Sequence, residues 1–159
     1  MIKVEALGHS YDDGRPALKN LSFEIARGEK VVLLGANGTG KTTLLKILDG
    51  LLFPRTGSFS YRSRPVTKES LRESVFHREF RREIVLLFQN ADAMIFNPTV
   101  RDEIAFGPRQ LGLDDVEGRV RRWAEPLGLV PHLGRPPFQL SSGEKKRVCL
   151  ASLLVLEPQ

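Results

Sequence analysis

Eight residues constrain this chain more than any others: Gly35-Ala36-Asn37-Gly38-Thr39-Gly40-Lys41-Thr42, the pattern G-x-x-x-x-G-K-T. An apolar run, Val31-Val32-Leu33-Leu34, leads into it. Thr43-Leu44-Leu45-Lys46-Ile47-Leu48 follows, with its apolar residues at helical spacing. The order predicts a strand, a tight loop and a helix, which is the context of a phosphate-binding P-loop. Glycines there let backbone N–H groups turn inward around a polyphosphate, because a Cβ would obstruct the chain. The helix that follows points its positive dipole end at the same anion. Asn37, Gly38, Thr39, Gly40, Lys41, Thr42 and Thr43 are therefore the expected cradle. Lys41 supplies a mobile charge for the β/γ-phosphates, and the Thr42 hydroxyl is placed to ligate Mg²⁺.

Bulk properties narrow the class. A chain of 159 residues suggests one domain, large enough to bury a core. The single cysteine, Cys149, excludes an intramolecular disulfide and suits a reducing compartment. It lies in an apolar helical run and reads as a packing residue, not a nucleophile. Lys3 and Glu5 interrupt the N-terminus at once, unlike a signal peptide. No apolar run approaches the ~18 residues that span a bilayer. The net charge of +5 is mild. The arginine-rich run from Arg72 to Arg82 could touch nucleic acid or anionic lipid, but such a run is more often a solvated face or loop.

The chain divides into a β-rich and P-loop core part over residues 1–88, a helical subdomain over 89–140, and a final helix over 141–159. Residues 2–7 and 18–25 alternate apolar and polar, as half-buried strands do. Asp12-Asp13-Gly14-Arg15-Pro16 is a turn between them. Gly50 stops the P-loop helix. A short strand is expected near residues 58–61, and at most one short helix around residues 68–74. Ile84-Val85-Leu86-Leu87-Phe88 reads as a buried parallel strand. Thr99 can cap a helix through Phe106, and Asp114 or Asp115 can cap another through Val120 and Trp123. A last helix is expected over residues 142–156.

Two further constellations join the P-loop. Leu140-Ser141-Ser142-Gly143-Glu144 opens the last helix. Its hydroxyls and free N–H groups suit an anion, and it also reads as an ordinary N-cap. Gln89 ends the apolar run at 84–88, where it can reach Mg²⁺ or an attacking water. In order and spacing these features resemble the ATP-binding cassette (ABC) ATPases over essentially the whole chain. The expected fold class is therefore α/β, a P-loop NTPase with an N-terminal antiparallel β part and a helical subdomain.

The resemblance implies ATP and Mg²⁺ as ligands, with Tyr11 stacking on adenine. The alternative for Tyr11 is a turn tyrosine without a ligand. It further implies that Lys41 and Gln89 serve catalysis and that Thr42 and Gln89 hold Mg²⁺. Ser141, Ser142, Gly143 and Glu144 are the signature that completes the nucleotide site of a second cassette, in a homo- or heterodimer. Residues 88–96 and 99–108 look like the ATPases of energy-coupling-factor and cobalt/nickel-type importers. That implies an integral membrane partner docked beside residues 89–96, a place on the cytoplasmic face of the membrane, and no nucleic-acid ligand.

The sequence departs from the family in two ways. Ser142 stands where a glycine is usual, and it either crowds a phosphate or donates to it. The chain also ends at Glu157-Pro158-Gln159, before the acidic strand end and switch histidine of the family. It is expected to be the N-terminal portion of a longer ATPase, with the C-terminal part of the core missing. Two rival readings remain: a soluble ABC protein acting on nucleic acid or ribosomes, and a nucleotide-binding fragment without turnover.

Overall fold

A four-stranded antiparallel sheet organises the first eighty residues. The protein is described here from a computed structural model covering residues 1–159. It divides into two units, residues 1–80 with Gln159, and residues 81–158. In the first, β1 (Ile2–Ser10), β2 (Pro16–Ile25), β3 (Thr56–Tyr61) and β4 (Arg64–Pro65) stand in the order β2-β1-β3-β4. The turn at residues 12–16 joins β1 to β2, as its Gly and Pro predict.

Strict alternation along β1 would turn Ala6 inward and Leu7 outward. The strand reverses this with a bulge: pairing is irregular between Val4 and Leu7, and Ala6 takes φ 46. Val4 and Leu7 are consequently both buried. An extra residue shifts the side-chain phase by one, which is what a bulge does. Gly57 of β3 faces the bulge with φ 73, where a Cβ would collide with the carbonyls of Glu5 and Ala6. Asn20 in β2 (φ 47) does the same between Leu18 and Leu21.

Helix α1 (Lys41–Leu48) follows the P-loop as expected. It ends on Gly50, φ 69. Gly50 donates to the Ile47 carbonyl (2.9 Å) and Leu51 to that of Lys46 (2.9 Å). These two bonds form a Schellman motif that satisfies the last carbonyls of the helix.

Two expected strands are not formed. Residues 31–36 and 84–88 run without strand pairing. A strand exists only through a neighbour's backbone groups, and no segment of these 159 residues supplies them. Val32 and Leu34 are accordingly 78% and 85% exposed, although their sequence is that of a buried strand.

The run at residues 72–82 is also not merely a solvated loop. A one-turn 3₁₀ helix (Ser70–Arg72) leads into α2 (Ser74–Glu83). Phe76 and Phe80, four apart, lie on one face and are buried. Phe80 meets Phe59, Tyr61 and Phe76 with ring centroids 6.4, 5.9 and 5.9 Å away. Arg64 lies 4.1 Å over the Phe76 ring and pairs with Glu73. Arg81 and Arg82 in the last turn complement the helix dipole.

The second unit is helical. In α3 (Val100–Leu111) the Thr99 hydroxyl accepts from the Asp102 N–H (3.1 Å), the cap the sequence predicts. The helix runs five residues past Phe106, through Pro108. That proline is fully buried, and apolar burial offsets the backbone bond it cannot make. Asp115, not Asp114, caps α4 (Val116–Ala124) by accepting from the Gly118 N–H (3.2 Å). Helix α5 spans Ser142–Leu154, two residues shorter than expected. Val100, Ile104, Val120, Ala124, Val148 and Ala151 form the core of the three helices, with Trp123 packed partly against it. Cys149 is buried in α5, and burial pushes its thiol up to about 11, which fits a packing role.

Phe80→Ala should cost about 3–5 kcal/mol in urea unfolding, the range for an emptied aromatic site. Val75→Ala, at a side chain 68% exposed on the same helix, should shift stability by less than about 0.5 kcal/mol.

Candidate functional site

The P-loop is placed by a close backbone approach. Gly40 caps α1 in the left-handed region, with φ 88. A Cβ there would overlap the carbonyl oxygen of Ala17 in β2 and lie 2.8 Å from Leu18 Cδ2. Gly38 is also left-handed, φ 83, with open space around it. The Lys41 ammonium crosses the loop and donates to the Gly35 and Ala36 carbonyls, both at 2.7 Å. The Thr39 hydroxyl donates to Ala36 (2.8 Å). Asn37, Gly38, Thr39 and Thr42 are exposed. Lys41 pairs with no carboxylate, so its charge is held only by two neutral carbonyls. The arrangement suits a polyphosphate, since it offers an exposed loop, a cation with no carboxylate partner and the unpaired N–H groups of a helix start.

Tyr11 is anchored to the same helix. Its hydroxyl hydrogen-bonds the Thr43 hydroxyl at 2.8 Å, and Thr43 is buried. Backbone bonds from Tyr11 N–H to Arg15 (3.1 Å) and from Gly14 N–H to Tyr11 (2.9 Å) close the β1–β2 turn. The ring stays 44% exposed and meets His9 edge-on at 5.4 Å. His9 Nδ1 in turn contacts the Phe53 carbonyl (2.9 Å). A cavity of about 680 Å³ opens beside these residues, lined also by Arg55, Thr67 and Lys68. Tyr11 is thus a turn residue, and an aromatic surface held against the P-loop helix.

The remaining expected residues lie in the second unit. Gln89 is exposed and follows the unpaired run at 84–88. Asn90 beside it caps a one-turn 3₁₀ helix (Ala91–Ala93) by accepting from the Asp92 N–H at 3.0 Å. Asp92 receives Lys145 of α5 at 2.7 Å. The signature turn is a complete capping box. Ser141 N–H and Oγ–H both donate to Glu144 Oε2 (2.7 and 2.6 Å), and the Glu144 N–H returns a bond to Ser141 Oγ (3.3 Å). The Ser141 bonds hold the Glu144 carboxyl below its usual range, with smaller contributions from His132 and Arg147. Ser142 and Gly143 occupy the first two helical positions, where backbone N–H groups have no intrahelical partner.

Two residues were missed by sequence reading. Glu103 is buried and accepts from Phe96 N–H (3.0 Å), Asn97 N–H (2.8 Å) and Asn97 Nδ2 (3.1 Å). It fixes a loop in which Phe96 is 65% exposed and meets Phe106 edge-on at 4.8 Å. His132 sits 3.3 Å from Glu144. Neither has a local sequence signal beyond being polar near a helix end. Glu157 pairs with Arg119 and Arg122, both at 3.0 Å, and Arg119 holds its carboxyl below the usual range. It lies three residues beyond the end of α5, in the left-handed region at φ 56.

The sequence profile of the ABC transporter family matches residues 18–159. The chain is 42% identical over 161 residues to the energy-coupling factor transporter ATP-binding protein EcfA1 of Methanospirillum hungatei, covering 100% of this chain and 56% of that protein. It is 46% identical over 148 residues to the nickel import ATP-binding protein NikO of Rhodobacter capsulatus, covering 92% and 58%. The solved structure of cbiO1 from Clostridium perfringens, part of the ABC transporter complex cbiONQ, superposes with TM-score 0.80 at 34% identity, covering 99% of this chain and 62% of that one. The dimeric cassette MJ0796 gives TM-score 0.84 at 26% identity, covering 99% and 71%. The chain therefore spans 56–58% of the length of these two curated relatives.

Gly40→Ala should destabilise the first unit by about 3 kcal/mol or more, since backbone overlap adds to left-handed strain. Gly14→Ala, equally left-handed at φ 77 but with nothing within 4 Å, should cost about 1–2 kcal/mol, the strain alone. Thermal unfolding of the two variants compares them directly.

Proposed function

The chain belongs to the ABC transporter family, and on that premise we propose that it is the nucleotide-binding part of an importer's ATPase subunit. It couples ATP binding and hydrolysis to uptake of a metal ion or vitamin-like solute. The observation that carries this reading is the P-loop closed by Lys41, a cation with no carboxylate partner over an exposed glycine loop. The match to relatives named for nickel import and energy-coupling factor transport supports the solute class.

In this reading the N–H groups of Asn37, Gly38, Thr39, Gly40, Lys41, Thr42 and Thr43 surround the phosphates. Lys41 gives up the Gly35 and Ala36 carbonyls for the β/γ-phosphates, a neutral pair of acceptors exchanged for an anionic one. The anchored Tyr11 ring offers its face to adenine. Mg²⁺ would supply charge neutralisation to the phosphates, with Thr42 as the P-loop residue that would hold it. From the family resemblance, Gln89 would be a further ligand and would orient the attacking water, and Lys41 would stabilise developing charge. Ser141, Ser142, Gly143 and Glu144 form the helix start that meets the nucleotide of a second cassette, in a homo- or heterodimer. An integral membrane subunit covers the exposed Phe96 edge, placing the protein on the cytoplasmic face of the membrane. No nucleic acid is required.

Lys41→Ala should weaken MgATP binding by on the order of 2 kcal/mol or more, the value of a charge-assisted contact. Tyr11→Ala should weaken ATP more than inorganic triphosphate. Calorimetry reads both, and an unchanged affinity in Lys41→Ala would sink the assignment. Phosphate release with and without Mg²⁺ separates an ATPase from a nucleotide-binding fragment without turnover.

Phe96→Asp should abolish capture of the membrane subunit in detergent while MgATP affinity stays within about twofold, since an exposed site carries little folding energy. A folded variant that still captures the membrane subunit would overturn the docking reading.

A further inference from the structure

Thr43 faces two ways. Helix α1 makes its first internal bond from the Leu44 N–H to the Gly40 carbonyl, at 2.9 Å. The Thr43 N–H therefore has no helical partner and points out of the helix start. The side chain of the same residue turns elsewhere. It is buried, and its hydroxyl meets the Tyr11 hydroxyl at 2.8 Å. Side chains on a helix lean toward its N-terminus, which brings this one to the β1–β2 turn.

From this geometry we propose that Thr43 is a positioning residue for the base. By holding the Tyr11 hydroxyl it fixes the ring that receives adenine, so selection for the base depends on that hydroxyl as well as on the aromatic face. The inference rests on the proposed nucleotide reading, in which Tyr11 meets the base and residues 37–43 meet the phosphates. One residue then joins the two ends of the ligand: its backbone serves the phosphates and its side chain the base.

The other contacts of Tyr11 leave the ring to this bond. Its N–H and carbonyl are paired with Arg15 and Gly14, at 3.1 and 2.9 Å, and these bonds hold the backbone alone. His9 stands perpendicular to the ring, at 88°, with no hydrogen bond to it. The ring is 44% exposed, so packing does not immobilise it. A ring released from Thr43 must be frozen by the base itself, at a cost in affinity.

The bond is also compatible with an occupied loop. Either hydroxyl can donate. With Tyr11 as the donor, the Thr43 hydrogen remains for an acceptor on the phosphate side. Phosphate binding therefore does not require the pair to break.

The test is calorimetry of ATP and of inorganic tripolyphosphate, both with Mg²⁺, and the quantity read is the ratio of the two affinities. Tyr11→Phe keeps the aromatic face, and Thr43→Val keeps the shape and the N–H. Each should lower the ratio of ATP to tripolyphosphate affinity about fivefold, within the range of one neutral hydrogen bond or one immobilised side chain. The double variant should lower it no further, because both changes remove the same bond. Thr43→Ser retains a hydroxyl and should keep the ratio within about twofold. A bond with a structural role only would weaken both ligands alike, and such a loss cancels in the ratio. An unchanged ratio in Tyr11→Phe overturns the proposal, as do effects that multiply in the double variant. If Thr43→Val does not fold, Tyr11→Phe decides by the same ratio. Tyr11→Ala tests the premise: an unchanged ratio there removes Tyr11 from the base site and the proposal with it. An unmodified protein that binds neither ligand defeats the nucleotide reading itself.

Discussion

The contact between Gly40 and the carbonyl of Ala17 fixes the first unit around its loop. No side chain fits there, so the backbone of the P-loop rests directly on β2. That seats the first turn of α1 against the sheet. It also brings the Thr43 hydroxyl within 2.8 Å of Tyr11, which the β1–β2 turn has carried to the same end. Tyr11 and Thr43 are 32 residues apart in sequence and are brought together by this approach.

The local elements were legible because their signals are local. Helix α1 begins directly after the glycines that announce it, and Lys41 closes the loop on its own neighbours Gly35 and Ala36. Thr99, Asp115 and Ser141 announce helix starts through their own side chains. What was not legible depends on partners distant in sequence. The run at 31–34 has the composition of a buried strand, yet a strand is a property of two segments. Composition alone therefore overstated it, and the same holds for residues 84–88. The opposite error befell α2. Two phenylalanines among many charges look like a loop until Phe59 and Tyr61 close over Phe80.

The bulge at Ala6 shows how the sheet accommodates a sequence out of phase. The apolar residues Val4 and Leu7 are three apart, a spacing no regular strand can bury on one face. The chain inserts a left-handed residue, and the opposing strand answers with Gly57. Two residues in different strands are thus required by a single mismatch of period, and neither is explained by its own neighbours.

Glu103 has a consequence for the second unit that concerns entropy. Its carboxylate draws in three donors from residues 96 and 97, so the chain leading to the exposed Phe96 loses its conformational freedom during folding. An association at that edge begins from a preorganised surface, without the further cost of freezing a loop. The aromatic edge is displayed by a buried charge, and its rigidity belongs to the folded core.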